Sequence, residues 1–167
     1  MNRNKLFTFV RLLISLSIIF AGSSVFAETT FEKIKRTGKV TVGTEAAFPP
    51  FEFVEDGKIV GYGKDILDYI VADMKVELNQ LDLPWQGILP GVLAGKFDFV
   101  ATSVSIRAER AKKYAFTVPI AEGTNWVMKR SGDASINSPD DLSGKVVCTQ
   151  LASGSEKATK EWEEDMK

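Results

Sequence analysis

Val40 and Val42 alternate with polar neighbours directly after Gly38, and the run ends at Pro49-Pro50, which predicts a strand over 39–44 leaving into a loop. Phe51 and Phe53 alternate next, both directed toward a core, and Asp56-Gly57 is a hairpin signal ahead of Ile59-Val60. Ile66, Tyr69, Ile70 and Met74 recur at helical spacing and predict one apolar helix face, with Asp65 as its N-cap. Residues 76–83 return as a strand, 86–94 form a short helix closed by Gly95, and 97–104 make a nearly continuous apolar strand. This alternation predicts an α/β fold, a parallel sheet with helices on its faces. Ligands of such sheets lie at the carboxyl ends of the strands. Here those ends are residues 44–51, 83–86 and 102–110, expected to face one crevice.

Beyond Arg110 the pattern changes. Residues 114–116 are a short extended piece, 124–128 a strand, and 130–137 a polar stretch containing Gly132 that reads as a boundary. Ser138 and Pro139 open a short helix, 145–150 form another strand, and 153–165 a second helix. One strand and one or two helices cannot bury a core alone. Residues from 130 to 167 are therefore expected to begin a second lobe whose remainder lies outside the sequence, after a first lobe over 28–129.

The N-terminus reads differently. Arg3 and Lys5 precede the apolar run 12–21, and Val25 and Ala27 occupy the small-residue positions of a cleavage site, the order of a secretory signal peptide over residues 1–27. A membrane anchor would need a run long enough for a ~30 Å core, and Arg11 closes this one at its start. Export follows, with a soluble mature chain in the periplasm. Residues 1–27 hold three basic side chains and no acids, so the mature chain carries 18 basic against 22 acidic side chains, a net charge of −4.

Composition then removes whole classes of chemistry. Histidine is absent and Cys148 is the only cysteine, which excludes Ser-His-Asp and Cys-His nucleophile systems, His- and Cys-based zinc sites and any internal disulfide. Cys148 follows Val146-Val147 and is expected to be a small buried residue. No P-loop or dinucleotide glycine fingerprint occurs, so no cofactor is expected. Without a basic stretch in the exported part, a nucleic-acid partner is excluded as well.

Three segments carry chemistry. Phe48, Phe51 and Phe53 crowd the end of the first strand; alternation turns the last two inward and leaves Phe48 for a ligand. Trp85, after Pro84, suits a cleft wall or a core plug equally. Thr102, Ser103 and Ser105 place hydroxyls at the end of the central strand with Arg107 and Arg110 beyond, and an arginine fork matches a carboxylate bidentately. Arg110 is assigned that role and Arg107 a solvated helix face. Gln150, Ser153, Gly154 and Glu156 form a strand end followed by a helix N-terminus in capping-box spacing, which either binds an anion or merely starts a helix.

Gly43 to Phe53, Gly61-Tyr62-Gly63-Lys64-Asp65-Ile66, Gly87-Ile88-Leu89-Pro90, Ser103 to Arg110 with Phe116-Thr117, and Asp141-Leu142-Ser143-Gly144-Lys145-Val146 resemble, in this order, the bacterial extracellular solute-binding proteins of the polar amino-acid transport family. The resemblance implies a type II periplasmic binding fold, monomeric, whose two lobes close on an amino acid that the permease subunits of an ABC importer take up. It implies Phe48 and Trp85 as aromatic cleft walls, Ser103 and Ser105 as hydroxyl and backbone contacts, Arg110 as the carboxylate arginine, and Gln150, Ser153 and Gly154 as the face of the second lobe. Glu45 stands where an aspartate is frequent, Arg107 replaces a usual threonine, and Pro119-Ile120-Ala121 stands where proline and two tyrosines are common. The acid expected for the ligand ammonium lies beyond Lys167.

Two rival functions fit the same fold. A cyclohexadienyl-type dehydratase would need an ionisable group poised in the cleft, for which Glu45 is the one visible candidate. A sensor domain of a receptor, or a domain of a wall-lytic enzyme, would continue into a membrane span or another domain. Cleavage after Ala27 predicts that the exported protein, measured as intact mass, begins at Glu28; a retained N-terminus in the membrane fraction would support an anchored sensor instead.

Overall fold

A parallel sheet organises the computed structural model, which describes residues 27–165. The signal peptide assigned to residues 1–27 thus lies, except for Ala27, outside the described residues. The chain divides after Arg36 into two units. In the first, Thr29 caps helix α1 (Thr30–Thr37) by accepting the Glu32 N–H at 3.2 Å while the Glu32 carboxylate takes the Thr29 N–H at 2.9 Å, and Arg36 pairs with Glu28 at 2.7 Å.

In the second unit, β1 (Lys39–Thr44) lies between β5 (Glu77–Asp82) and β6 (Phe99–Val100), parallel to both. Its register with β5 runs from Lys39 opposite Glu77 to Thr44 opposite Asp82. Val40, Val42 and Thr44, which share one face of β1, are all buried, and Gly43 on the other face lies against Phe97. Full burial of each such valine contributes roughly 1.5–3 kcal/mol.

Between β1 and β5 the chain forms an antiparallel sheet of β2 (Ala47–Phe48), β3 (Glu52–Glu55) and β4 (Lys58–Val60). Asp56 and Gly57 both take positive φ, 50° and 73°, the type I′ geometry that makes an Asp-Gly pair a hairpin turn. In β3, however, the residue turned inward is Glu52, 2% exposed, whereas Phe51 and Phe53 are half-buried. The expectation of two core phenylalanines is corrected: their register leaves the inward place to an acid.

Helix α2 (Tyr62–Met74) starts three residues before the expected Asp65 cap. Its cap is Gly61, at φ 116°, because the loop carbonyls of Pro50 and Phe51 receive the N–H groups of Tyr62 and Gly63 at 3.0 and 2.7 Å. A Cβ on Gly61 would meet those same carbonyl oxygens at 2.7 and 2.5 Å, so glycine is required. The helix buries Leu67, while Tyr69 is 76% exposed and Ile70 is also exposed. The predicted apolar face was therefore rotated from the buried one.

Helix α3 (Trp85–Leu93) returns the chain to β6 and buries Ile88. Phe97, just before β6, is the ring on which strand and helix meet. A Cβ at Gly43 of β1 or at Gly91 of α3 would come within 2.6 Å of it, so both backbones approach the ring closer than any other residue allows. The ladder of β6 is shorter than the predicted 97–104. Asp98 and Ala101 extend it by backbone bonds to Thr41 and Gly43 at 2.8 and 2.9 Å, and from Thr102 on the chain turns away toward Glu52.

After α4 (Ala108–Ala111) a 3₁₀ turn, Pro139–Leu142, carries the Ser138–Asp141 capping box, and α5 (Gly154–Asp165) ends the described chain. Residues 124–128 and 145–150, predicted as strands, pair with no strand among the described residues. Extended backbone becomes a strand only beside a partner, and unpartnered it leaves its side chains in water: Met128 is 94% exposed. Cys148, expected to be buried, is exposed for the same reason.

Gly43 has ordinary strand dihedrals, so Gly43→Ala adds only a methyl group against Phe97. Overpacking of this kind costs about 1–3 kcal/mol, and urea denaturation should show a midpoint lowered accordingly; an unchanged midpoint would mean that the ring gives way freely.

Candidate functional site

The carboxyl ends of the three parallel strands are tied together by side chains before any ligand is considered. Thr44 Oγ1 donates to the Ala101 carbonyl at 2.8 Å and accepts from Gln80 Nε2 at 2.9 Å, and Asp82 accepts the Ala46 N–H at 2.9 Å. These bonds fix the loops that carry the candidate residues.

Trp85, the first residue of α3, is buried and does two things at once. Its Nε1–H donates to the Ala152 carbonyl at 3.0 Å, and the Arg110 guanidinium lies 5.3 Å from its ring centroid. A cation over an indole face is worth about 0.5–2 kcal/mol. Arg110 also donates from Nη1 to the Ser105 carbonyl at 3.2 Å, which orients the fork. Partial burial and, secondarily, the charge of Arg107 lower the Arg110 pKa, so both penalise an unpaired guanidinium and favour an anion beside it.

Arg107 does not lie on a solvated face. It is half-buried, and its guanidinium abuts Gly154, where a Cβ would collide with it. Arg107 and Arg110 line a cleft of about 470 Å³ with Ala152, Ser153, Gly154 and Lys157. Glu109, Glu156, Glu161 and Glu164 rim the same cleft.

The 150–156 segment is both a helix start and a lining of this cleft. Ser153 Oγ accepts the Glu156 N–H at 3.1 Å, but the Glu156 carboxylate reaches past Ser153 to the Ala152 N–H at 2.6 Å. Ala152 has φ 61°, and this bond holds it there. The Ser153 N–H bonds to the Gln150 carbonyl at 3.3 Å, so helix geometry leaves Gly154 and Ser155 as first-turn donors. Gln150 Nε2 donates to Glu45 Oε1 at 2.6 Å, which brings two further candidates together.

Phe48 is 48% exposed and stacks on Phe51 at 5.4 Å, with Tyr62 edge-on to Phe51 at 6.3 Å. Ser105 is exposed. Ser103 is turned inward instead: its N–H and its hydroxyl both donate to Glu52, at 2.6 and 2.9 Å. Glu52 is the residue that sequence reasoning missed, and an acid alternating between two phenylalanines was the available signal. Among the described residues no three acids or cysteines gather as metal ligands, and no helix is long and apolar enough to cross a membrane.

Residues 40–166 match the bacterial extracellular solute-binding proteins, family 3, and the chain belongs to that family. It is 34% identical over 143 residues to the L-cystine-binding protein TcyJ of Escherichia coli (strain K12), covering 83% of this chain and 54% of that protein. It is 36% identical over 148 residues to the L-glutamate/L-aspartate-binding protein of Pseudomonas aeruginosa, covering 83% and 48%. The crystal structure of the ancestral amino acid-binding protein AncCDT-1, a precursor of cyclohexadienyl dehydratase, superposes with a TM-score of 0.73 at 32% identity, over 80% of this chain and 61% of that one. The fold is therefore the α/β type II periplasmic binding fold, and the chain spans about half the length of the curated relatives it matches.

The Glu156 cap responds to pH. Lys160 and then the Ala152 N–H hold its carboxyl below the usual carboxylate range. A lowered folded-state pKa gives stability that is present above the unfolded value and lost as pH falls through the folded one. Circular dichroism on acidification below about pH 4.5 should show helix loss that Glu156→Gln no longer shows; identical titrations would mean that the cap contributes nothing.

Proposed function

We propose that the protein is the periplasmic ligand-binding component of an amino-acid ABC importer, exported by a signal peptide cleaved after Ala27 and acting as a monomer that delivers its ligand to permease subunits. The arginine held over Trp85 by the Ser105 carbonyl, at the carboxyl edge of a parallel sheet, carries this reading: it is a desolvated fork aimed where a small carboxylate fits. Residues 28–129 form the first lobe and those from 130 on belong to the second. Phe48 and Trp85 wall the cleft, Ser105 and Arg110 take the carboxylate side, and Glu45, Gln150, Ser153 and Gly154 close it from the other, while Ser103, bonded inward to Glu52, is left out of the contact. Relatives whose names specify cystine or glutamate and aspartate support a free amino acid as the ligand class. Glu45 already accepts a hydrogen bond from Gln150, which supports a binding role for it over the proton transfer a dehydratase would ask of it.

Calorimetric titration with L-cystine, L-glutamate and L-arginine tests the assignment. Losing a desolvated charge-assisted pair costs about 2–5 kcal/mol, so Arg110→Ala should bind about 30-fold to several thousandfold more weakly. Arg110→Lys should recover little, since a point charge cannot reproduce the fork. Arg107→Ala, which removes the guanidinium packed against Gly154, should lose less. Equal, small losses at both arginines would mean that the carboxylate is held elsewhere.

A further inference from the structure

Glu52 is an ionisable group that the proposed binding site does not use, and it is almost wholly buried. Among the described residues no cation pairs with it. Its charge is met by three donors from a segment fifty positions away: Thr102 Oγ1 and the Ser103 N–H on Oε1, at 2.5 and 2.6 Å, and Ser103 Oγ on Oε2, at 2.9 Å. Gly63, in the first turn of α2, leaves the space for Oε2, since a Cβ there would stand 2.7 Å from it. A buried carboxylate with fewer donors would be costly, so Glu52 and the Thr102-Ser103 pair constrain each other.

The constraint reaches further along the chain. The peptide whose N–H points at Glu52 has the Thr102 carbonyl at its other end, and that carbonyl accepts the Val104 N–H at 2.8 Å. This closes a three-residue turn centred on Ser103. The chain leaves the turn at Ser105, whose carbonyl holds Arg110. One end of the 102–110 loop is thus pinned by a buried anion and the other by the arginine fork.

We propose that Glu52 is a positioning residue of the ligand site: by clamping the inward donors of Thr102 and Ser103 it sets the turn that presents Ser105 and, through it, Arg110. The proposal rests on the reading of this cleft as the amino-acid site. Glu52 touches no ligand and acts only through the turn. Glu52→Gln keeps the shape and one acceptor oxygen but gives up the charge and turns the other oxygen into an NH2 donor, whereas Glu52→Asp keeps the charge and withdraws it by one methylene.

Two measurements test this on the purified protein. In calorimetry with L-cystine, L-glutamate and L-arginine, Glu52→Gln should bind about tenfold more weakly and Glu52→Asp at least as weakly, since charge-assisted bonds are lost or lengthened. An unchanged Kd with a lowered melting temperature would reduce Glu52 to a structural role and overturn the proposal. In NMR without ligand, the Ser103 amide proton should move upfield in Glu52→Gln, and the Ser105 amide and Arg110 Nε–H signals should move with it. If the parent protein binds none of the probes, the importer reading is what fails. The spectra then decide: displaced Ser105 and Arg110 signals support positioning, and unmoved ones overturn it. If Glu52→Asp does not fold, Ser103→Ala, which removes one of the three donors, replaces it in both measurements with the same expected directions.

Discussion

A lone negative charge buried between two sheets is the constraint from which the rest of the binding edge follows. A carboxylate can leave water only where donors stand ready for its lone pairs, and the donors here come from the end of β6 while the acid comes from β3. The hairpin sheet and the parallel sheet are thereby held in one relation, in the place where the parallel strands end. Gly61 and Gly63 make room for the acid and for the loop carbonyls beside it. Polar groups that would otherwise compete with a ligand for the cleft are spent on holding its walls.

The same economy marks the other face of the cleft. The N–H groups of Ala152, Ser153 and Glu156 are all bonded within the segment or to Glu156 itself, and Gln150 is engaged with Glu45. Arg110 differs from them: it carries a full charge, is partly desolvated, and lies over an aromatic face with one carbonyl as its hydrogen-bond acceptor. A cation so placed is the natural anchor for an anion.

What could be read along the chain was what local chemistry determines. β1 shows as valines alternating with polar residues after Gly38, and the Asp56-Gly57 hairpin needs only two residues with positive φ. The start of α2 could not be read, because its cap is chosen by carbonyls of Pro50 and Phe51 that only folding brings near Gly61. Residues 145–150 have a strand's composition, yet pairing is a property of two segments, and no strand pairs with this one among the described residues. Arg110, Trp85 and Phe48 were visible as unusual residues at strand ends, whereas the role of Glu52 was not, since its partners are fifty residues distant and the chain shows only an acid between Phe51 and Phe53. Arg107 was misread for a related reason: its partner, Gly154, shows no side chain to announce the contact.

The exposed thiol of Cys148 has a use that follows from its being the chain's one cysteine. It stands two residues before Gln150, whose amide donates to Glu45, so a fluorophore attached there sits beside a contact that any rearrangement of the 150–156 segment must alter. No second cysteine has to be removed first, and no residue of the proposed carboxylate site is disturbed. The molecule is in this sense already furnished with an attachment point for an optical reporter of its own ligand occupancy.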